Sequence, residues 1–180
     1  MQLKDYFSNL SQKQRKVFFS GVSSDSSKVK KNDIFFAIEG NKIDGNKFVG
    51  EAIKKGARII VSEKKTNKQI GDIIFLYSSN VRKLLAETSY KILNKKPKKL
   101  VAVTGTNGKS SIADFYYQIL EYNFRRVASI GTIGVRYKKK KIKLNNTTLD
   151  PIYLSSILKN LKKNKIENII LEASSHGLDQ

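Results

Sequence analysis

Apolar residues in this chain gather into short runs, many of them β-branched or aromatic, separated by longer stretches in which they recur at helical spacing. The runs at 33–38 (Asp33-Ile34-Phe35-Phe36-Ala37-Ile38), 57–61 and 73–77 predict strands. Between them, 47–55 places Phe48, Ala52 and Ile53 on one helical face. After them, 81–93 aligns Val81, Leu84, Leu85, Thr88 and Ile92, with Asn80 as a candidate N-cap. A second series starts with a strand from Leu100, a helix over 109–122, a strand over 126–130 and a hairpin around Lys138 to Lys141. Asp150 then caps a helix with Pro151 in its first turn, and a strand follows at 168–171. Strands alternating with helices predict an α/β fold with mostly parallel sheets and no internal repeat.

The basic stretch Lys95-Lys96-Pro97-Lys98-Lys99 divides the two series. The expected organisation is a first α/β domain over 1–94, a linker over 95–99 and a second unit over 100–180. Only three strands of the second sheet are expected within the chain. It stops directly after one of them, where ligands of open α/β sheets sit. We therefore expect an N-terminal fragment with an exposed sheet edge and exposed apolar surface, a poor folder on its own.

The segment opening the second unit, Val103-Thr104-Gly105-Thr106-Asn107-Gly108-Lys109-Ser110-Ser111, carries the strongest chemistry. Glycines at 105 and 108 let the backbone turn tightly and bring N–H groups against anionic oxygens. The helix that follows adds unpaired N–H groups and the positive end of its dipole. Lys109 supplies a mobile positive charge, and Ser110 or Ser111 can offer a hydroxyl to Mg²⁺. The common spacing of such loops wants glycine at 103, where this chain has Val103, so the loop is a variant. ATP with Mg²⁺ is the expected ligand.

Composition narrows the classes. With 180 residues and 39% apolar content the chain can bury a core. No apolar run is long enough to span a membrane, the first residues lack a signal-peptide core, and a cytoplasmic setting is expected. The lack of cysteine removes disulfides, zinc–thiolate sites and thiol catalysis. The net charge of +20 would suit a nucleic-acid binder. Lysine, however, dominates arginine and comes with many Asn and Ile residues, and no nucleic-acid-reading motif accompanies it. The runs at 95–99 and 138–141 therefore read as solvated linker and hairpin tip, with no specific nucleic-acid partner.

Four stretches together carry a resemblance. They are Ser24-Asp25-Ser26-Ser27-Lys28-Val29 with Asn32-Asp33-Ile34-Phe35-Phe36-Ala37, then Gly40-Asn41-Lys42-Ile43-Asp44-Gly45, then Thr104 to Ser110, and finally Asn146-Thr147-Thr148 with Glu172-Ala173-Ser174-Ser175-His176-Gly177-Leu178. In order and spacing the chain resembles the Mur ligase family of ATP-dependent peptidoglycan-precursor ligases. Within it, the chain is most similar to the branch that adds the third amino acid to UDP-N-acetylmuramoyl-L-alanyl-D-glutamate, with meso-diaminopimelate the expected amino acid. The resemblance covers nearly the whole chain. It implies a small N-terminal α/β domain for the UDP substrate, followed by a P-loop central domain that is incomplete here, with the C-terminal ligase domain absent.

The resemblance also implies roles. Ser24 and Ser26 match positions that hold the UDP part of the substrate; the family often has arginine where Ser27 stands. Asn41, Lys42 and Ile43 match the uracil-side loop. Read as residues alone, both loops are ordinary turn formers. Asn146, Thr147 and Thr148 match the grip on the muramoyl peptide, with Leu149 in place of a common proline; unaided, they read as capping residues. Gly105, Thr106, Asn107, Gly108, Lys109, Ser110 and Ser111 match the ATP loop. Glu172 matches a magnesium-binding carboxylate, with Ser110 as its hydroxyl partner, and Ser174 and Gln180 match substrate positions. His176, the sole histidine, matches a residue near the metal and could equally be a structural hydrogen-bonding group.

The implied chemistry is attack of a substrate carboxylate on the γ-phosphate of ATP, then displacement of phosphate from the acyl phosphate by the amine of a free amino acid. Lys109, Glu172 and His176 are the candidate catalytic residues. No nucleophile with a base is visible, which suits a protein that positions and neutralises rather than reacts. The family's later lysine, histidine and arginine fall beyond 180, so no ligation is expected from this length alone, and a monomer is expected. Three alternatives stand beside this reading. They are another ligase of the family (a terminal dipeptide-adding enzyme or a folylpolyglutamate synthase), a P-loop NTPase, and a basic nucleic-acid-binding module.

Overall fold

The computed structural model describes residues 1–40, 43–66, 70–93, 97–144 and 149–173. Two compact units result, Met1–Lys91 and Ile92–Gln180.

The first unit is a four-stranded parallel sheet in sequence order: β1 (Val22–Ser23), β2 (Ile34–Ala37), β3 (Ile59–Ser62) and β4 (Ile74–Tyr77). Every residue of β2 and β3 is buried, because parallel strands covered on both faces need continuous apolar runs rather than alternation. Phe35, Ala37 and Ile60 pack with Val29, Ala52 and Ala57. Helix α1 (Gln12–Arg15) starts on a reciprocal cap, in which Ser11 accepts from the Gln14 amide while the Gln14 side chain accepts from the Ser11 amide.

The expected helix over 47–55 is divided into a 3₁₀ turn, Gly45–Phe48, and α2 (Val49–Lys54). Asp44 caps the 3₁₀ turn by accepting from Asn46 N, and Phe48 faces solvent instead of the core. Helix α3 (Val81–Ile92) starts where Asn80 Oδ1 accepts from Lys83 N at 2.8 Å, and a Glu63 carboxylate oxygen accepts from Val81 N at 3.0 Å.

The second unit has five strands: β5 (Lys99–Val103), β6 (Val127–Gly131), β7 (Gly134–Tyr137), β8 (Lys140–Ile142) and β9 (Asn168–Glu172). Its helices are α4 (Lys109–Tyr122) and α5 (Pro151–Lys163). Their order in the sheet is β5-β9-β6-β7-β8. The last strand therefore lies between the first two, parallel to both. The expectation of three strands is corrected here, because the basic hairpin adds β7 and β8 to the same sheet as antiparallel strands. A two-residue connection joins them, Lys138 and Lys139, both at positive φ as a hairpin of matched twist demands.

One face of this sheet carries the main core: Ala128, Ile130, Val135, Tyr137 and Ile169 against Leu158 and Leu161 of α5. Asp150 caps α5, accepting from Ile152 N at 2.7 Å, with Pro151 at its first position. Ala113 and Tyr117 of α4 are also buried, and α4 packs against β6 and β9. Arg136 pairs with Asp114, its guanidinium 3.9 Å above the Tyr117 ring, while burial and a hydrogen bond to Glu121 push the Tyr117 phenol up to about 12. β5 is an edge strand with Leu100 and Val101 exposed, and α4 exposes Ile112, Phe115 and Ile119.

Thr88 and Ser89 of α3 are buried, and their hydroxyls find no hydrogen-bond partner among the described residues. An unmet buried hydroxyl destabilises, so Thr88→Val, which keeps the shape and removes the group, is expected to stabilise by about 1 kcal/mol. Urea unfolding followed by circular dichroism checks this; an unchanged or lowered midpoint refutes it.

Candidate functional site

The ends of three parallel strands meet at one edge of the second sheet. β5 pairs with β9 up to Val103 opposite Glu172, and β9 pairs with β6 up to Leu171 opposite Ile130. The phosphate-type loop at 104–108 leaves β5, Gly131 ends β6 with Thr132 directly after it, and Glu172 ends β9. Crevices at the carboxyl ends of parallel strands, next to a reversal of strand order, are where open α/β sheets hold ligands. Thr106, Asn107, Gly108, Lys109, Ser110, Ser111, Thr132 and Glu172 line a cavity of about 280 Å³ there.

Gly108 caps α4 at φ +77°, a left-handed conformation that glycine adopts without strain. The first bond of the helix runs from Ile112 N to Gly108 O at 2.9 Å. The N–H groups of Lys109, Ser110 and Ser111 thus precede the helical ladder and supply the donors an anion requires. Lys109 folds back over its own loop, donating from Nζ to Gly105 O at 2.5 Å and Thr106 O at 3.2 Å.

Glu172 is the carboxylate of the cavity. Its Oε2 accepts from Ser110 Oγ at 2.8 Å and from Thr132 Oγ1 at 2.6 Å, and the two hydroxyl oxygens lie 3.0 Å apart. The side chain runs directly over Gly131, where an added Cβ would stand 2.2 Å from Glu172 Oε1. Among the described residues no three His, Cys, Asp or Glu side chains cluster as a metal cage. One carboxylate and hydroxyls beside a phosphate loop instead match the way Mg²⁺ is held, by few protein oxygens plus phosphate oxygens. The donor set fits both groups, a polyphosphate on the loop and a hard cation beside it.

Of the residues singled out in the sequence, the structure brings together Thr106, Asn107, Gly108, Lys109, Ser110, Ser111 and Glu172, with Gly105 bonded to Lys109. Thr132 and Gly131 were missed. Their signal was positional only: a glycine and a hydroxyl directly after the apolar run 127–130, itself a strand parallel to the one that feeds the loop. Asn146, Thr147, Thr148, Ser174, His176 and Gln180 lie outside the described residues.

In the first unit, Ser24 is half-buried, and buried Ser26 donates from Oγ to Glu51 Oε2 at 2.7 Å. Asp25 orders this turn by accepting from Ser27 N and Oγ, and it pairs with Lys28. Ile43 is exposed, and Asn41 and Lys42 lie outside the described residues. The base of their loop is pinned: Gly45 N donates to Ile38 O, and Asp44 takes hydrogen bonds from Asn46 and from Lys64 Nζ at 2.7 Å. Asn46 in turn accepts from Ser62 Oγ at 2.6 Å. Because β1 and β2 are adjacent and parallel, the 24–26 turn and the residues directly after β2, Ile38 to Gly40, emerge at the same end of the sheet.

Comparison with known proteins gives matches along almost the whole chain. Residues 103–180 match the Mur ligase middle domain, and residues 19–100 match the Mur ligase family, catalytic domain. The UDP-N-acetylmuramoyl-L-alanyl-D-glutamate–2,6-diaminopimelate ligase of Rickettsia felis is 42% identical over 176 residues, which are 96% of this chain and 33% of that protein. The ligase of the same name from Rhizobium meliloti is 37% identical over 160 residues, 89% and 33% respectively. A solved structure of a ligase of that name superposes with a TM-score of 0.83 at 27% identity, covering 99% of this chain and 37% of its own. The MurF ligase of Thermotoga maritima in complex with ADP gives 0.56 at 27% identity, covering 86% and 32%. The chain spans about a third of the length of the curated relatives it matches.

The pinned loop is open to a titration. Hydrogen bonds from Lys64, foremost, and from Asn46 hold the Asp44 carboxyl down at about 2. A depressed carboxyl pKa contributes stability that is complete above the ordinary value of 3.8 and is lost as pH falls through about 2. A carboxyl ¹³C NMR titration should place Asp44 near 2 and show it moving up in Lys64→Met; a midpoint in the ordinary range would disprove the pin.

Proposed function

Because the chain belongs to the Mur ligase family, we propose that it carries the UDP-substrate and nucleotide portions of an ATP-dependent ligase that adds diaminopimelate to UDP-N-acetylmuramoyl-L-alanyl-D-glutamate. The observation that supports this most directly is the meeting of the phosphate loop with Glu172 and two hydroxyls in one cavity. Relatives bearing that ligase's name align across the full width of both units. The reaction of the whole protein joins the substrate carboxylate, activated as an acyl phosphate, to the amine of a free amino acid in the cytoplasm.

In this reading the loop residues Gly105, Thr106, Asn107 and Gly108 wrap the polyphosphate, and the amides of Lys109, Ser110 and Ser111 donate to its oxygens. Lys109 exchanges its two carbonyl acceptors for phosphate oxygens, which as anions make the stronger, charge-assisted bonds. Ser110 and Glu172 hold Mg²⁺, which when bound neutralises charge on the phosphate oxygens. Ser24, Ser26, Asn41, Lys42 and Ile43 bind the UDP portion, and Asn146, Thr147, Thr148, Ser174 and Gln180 the muramoyl dipeptide. His176 is the remaining candidate catalytic residue, with a structural hydrogen-bonding role as the alternative. The contribution of these residues is orientation and charge neutralisation.

Calorimetric titration of the chain with ATP and Mg²⁺, and separately with the UDP-muramoyl dipeptide, tests the two halves of the proposal. Lys109→Ala is expected to weaken ATP binding by about tenfold or more, since a hydrogen bond to a charged group contributes about 1.5–3 kcal/mol. It should leave dipeptide binding intact. Equal ATP affinity in the variant, or no binding of the UDP-muramoyl dipeptide by the unchanged chain, would overturn the corresponding half.

A further inference from the structure

The oxygens of Ser110 Oγ, Thr132 Oγ1 and Glu172 Oε2 form a closed triangle with sides of 2.6, 2.8 and 3.0 Å. Each hydroxyl carries one proton and the ionised carboxylate none, so two protons must serve three oxygen–oxygen contacts. One contact is always lone pair against lone pair, beside a full negative charge. Such a cluster is stabilised by a cation. The spacing also has a meaning of its own. Magnesium takes octahedral ligands at 2.0–2.1 Å, so neighbouring ligand oxygens stand about 3.0 Å apart. The triangle has close to the size of one face of that octahedron.

We infer that Thr132 Oγ1 is the third protein oxygen of the divalent-cation site, completing with Ser110 and Glu172 one triangular face around the ion. The opposite face is left to phosphate oxygens and water. The inference rests on the nucleotide-site reading above and adds to it a ligand that neither the loop motif nor the carboxylate announces.

Several features fit this role and no packing role. Thr132 is exposed, so its hydroxyl does not serve a core. It directly follows β6, whose ladder to β9 sets Ile130 opposite Leu171 and so holds Thr132 and Glu172 side by side. Its branched side chain has few rotamers, which limits where the hydroxyl can go. Gly131 completes the arrangement: any side chain there would occupy the path of Glu172 and push its carboxylate out of the triangle. Lys109, the nearby cation of the cavity lining, turns to the carbonyls of 105 and 106 and leaves the triangle to an ion from outside.

The test uses the 180-residue chain, ATP and a series of free Mg²⁺ concentrations. Thr132→Ala, at an exposed strand end, removes the hydroxyl and leaves room for water. It is expected to raise the Mg²⁺ midpoint for nucleotide binding about fivefold or more, with affinity in EDTA unchanged. Thr132→Ser should restore the midpoint to within about twofold. With Mn²⁺ in place of Mg²⁺, water-proton relaxation should show one more exchangeable water on the bound ion in Thr132→Ala. An unchanged midpoint, or a raised midpoint with unchanged Mn²⁺ hydration, overturns the ligand assignment. If those results come while Lys109→Ala still weakens ATP binding, the nucleotide-site reading survives and only the Thr132 assignment falls. If the unchanged chain binds no nucleotide at any Mg²⁺ concentration, both fall together.

Discussion

The position of β9 between β5 and β6 is the constraint from which the second unit's chemistry follows. A strand flanked on both sides by parallel partners has its backbone groups committed to two ladders, and its side chains must be apolar on both faces. Ile169 and Ile170 meet that demand and are buried. The two ladders then fix, residue by residue, which side chains stand at the ends of the three strands: Val103 beside Glu172, and Leu171 beside Ile130. Residues 62 positions apart in the chain, Ser110 and Glu172, become hydrogen-bond partners as a result. A shift of β9 by one residue would turn Glu172 to the other face of the sheet and separate it from both hydroxyls.

The first unit uses the same device with different residues. Its four strands are parallel and adjacent in chain order, so every loop leaving a strand end opens at the same edge. Ser23 ends β1 with Ser24 directly after it, Ile38 and Glu39 follow β2, and Ser62 ends β3. Polar side chains there do not read out into solvent alone. Ser62 holds Asn46, Asn46 donates to Asp44, and Asp44 holds Lys64, so the loop that presents Ile43 stands on a continuous polar footing.

Legibility in the sequence followed the strength of the local signal. Buried parallel strands announce themselves through runs such as Ile34-Phe35-Phe36-Ala37, and capped helices through Asn80 and Asp150-Pro151; all of these elements stand where the pattern puts them. β1 has two residues, too few for any period. Helical spacing placed Phe48 on the core, but a 3₁₀ turn replaces the first turn of that helix and leaves the ring exposed. The hairpin's membership in the main sheet depends on β6 pairing with β7, a tertiary fact that tip residues do not encode. In the site, a glycine–lysine–serine loop is legible because backbone shape and charge are written in consecutive residues. Thr132 and Gly131 are not, because one hydroxyl and one missing side chain acquire meaning only from the strand order that brings Glu172 to them.

The chain's charge sharpens the meaning of Glu172. Lysine and arginine number 35 against 15 acidic residues, so a carboxylate in this protein has cations of its own at hand. Asp25, Glu51, Asp44, Glu167 and Asp114 each take one, in pairs with Lys28, Lys55, Lys64, Lys98 and Arg136. Glu172 instead faces two hydroxyls, although Lys109 lines the same cavity. Lys109 spends its protons on neutral carbonyls of its own loop. An ion pair between them would be locally favourable and would cancel the two charges the cavity has to offer. Kept apart, the ammonium and the loop amides attract an anion while the carboxylate and hydroxyls attract a cation. A polyphosphate with its divalent ion would meet both demands at once, whereas any single protein side chain could meet only one of them.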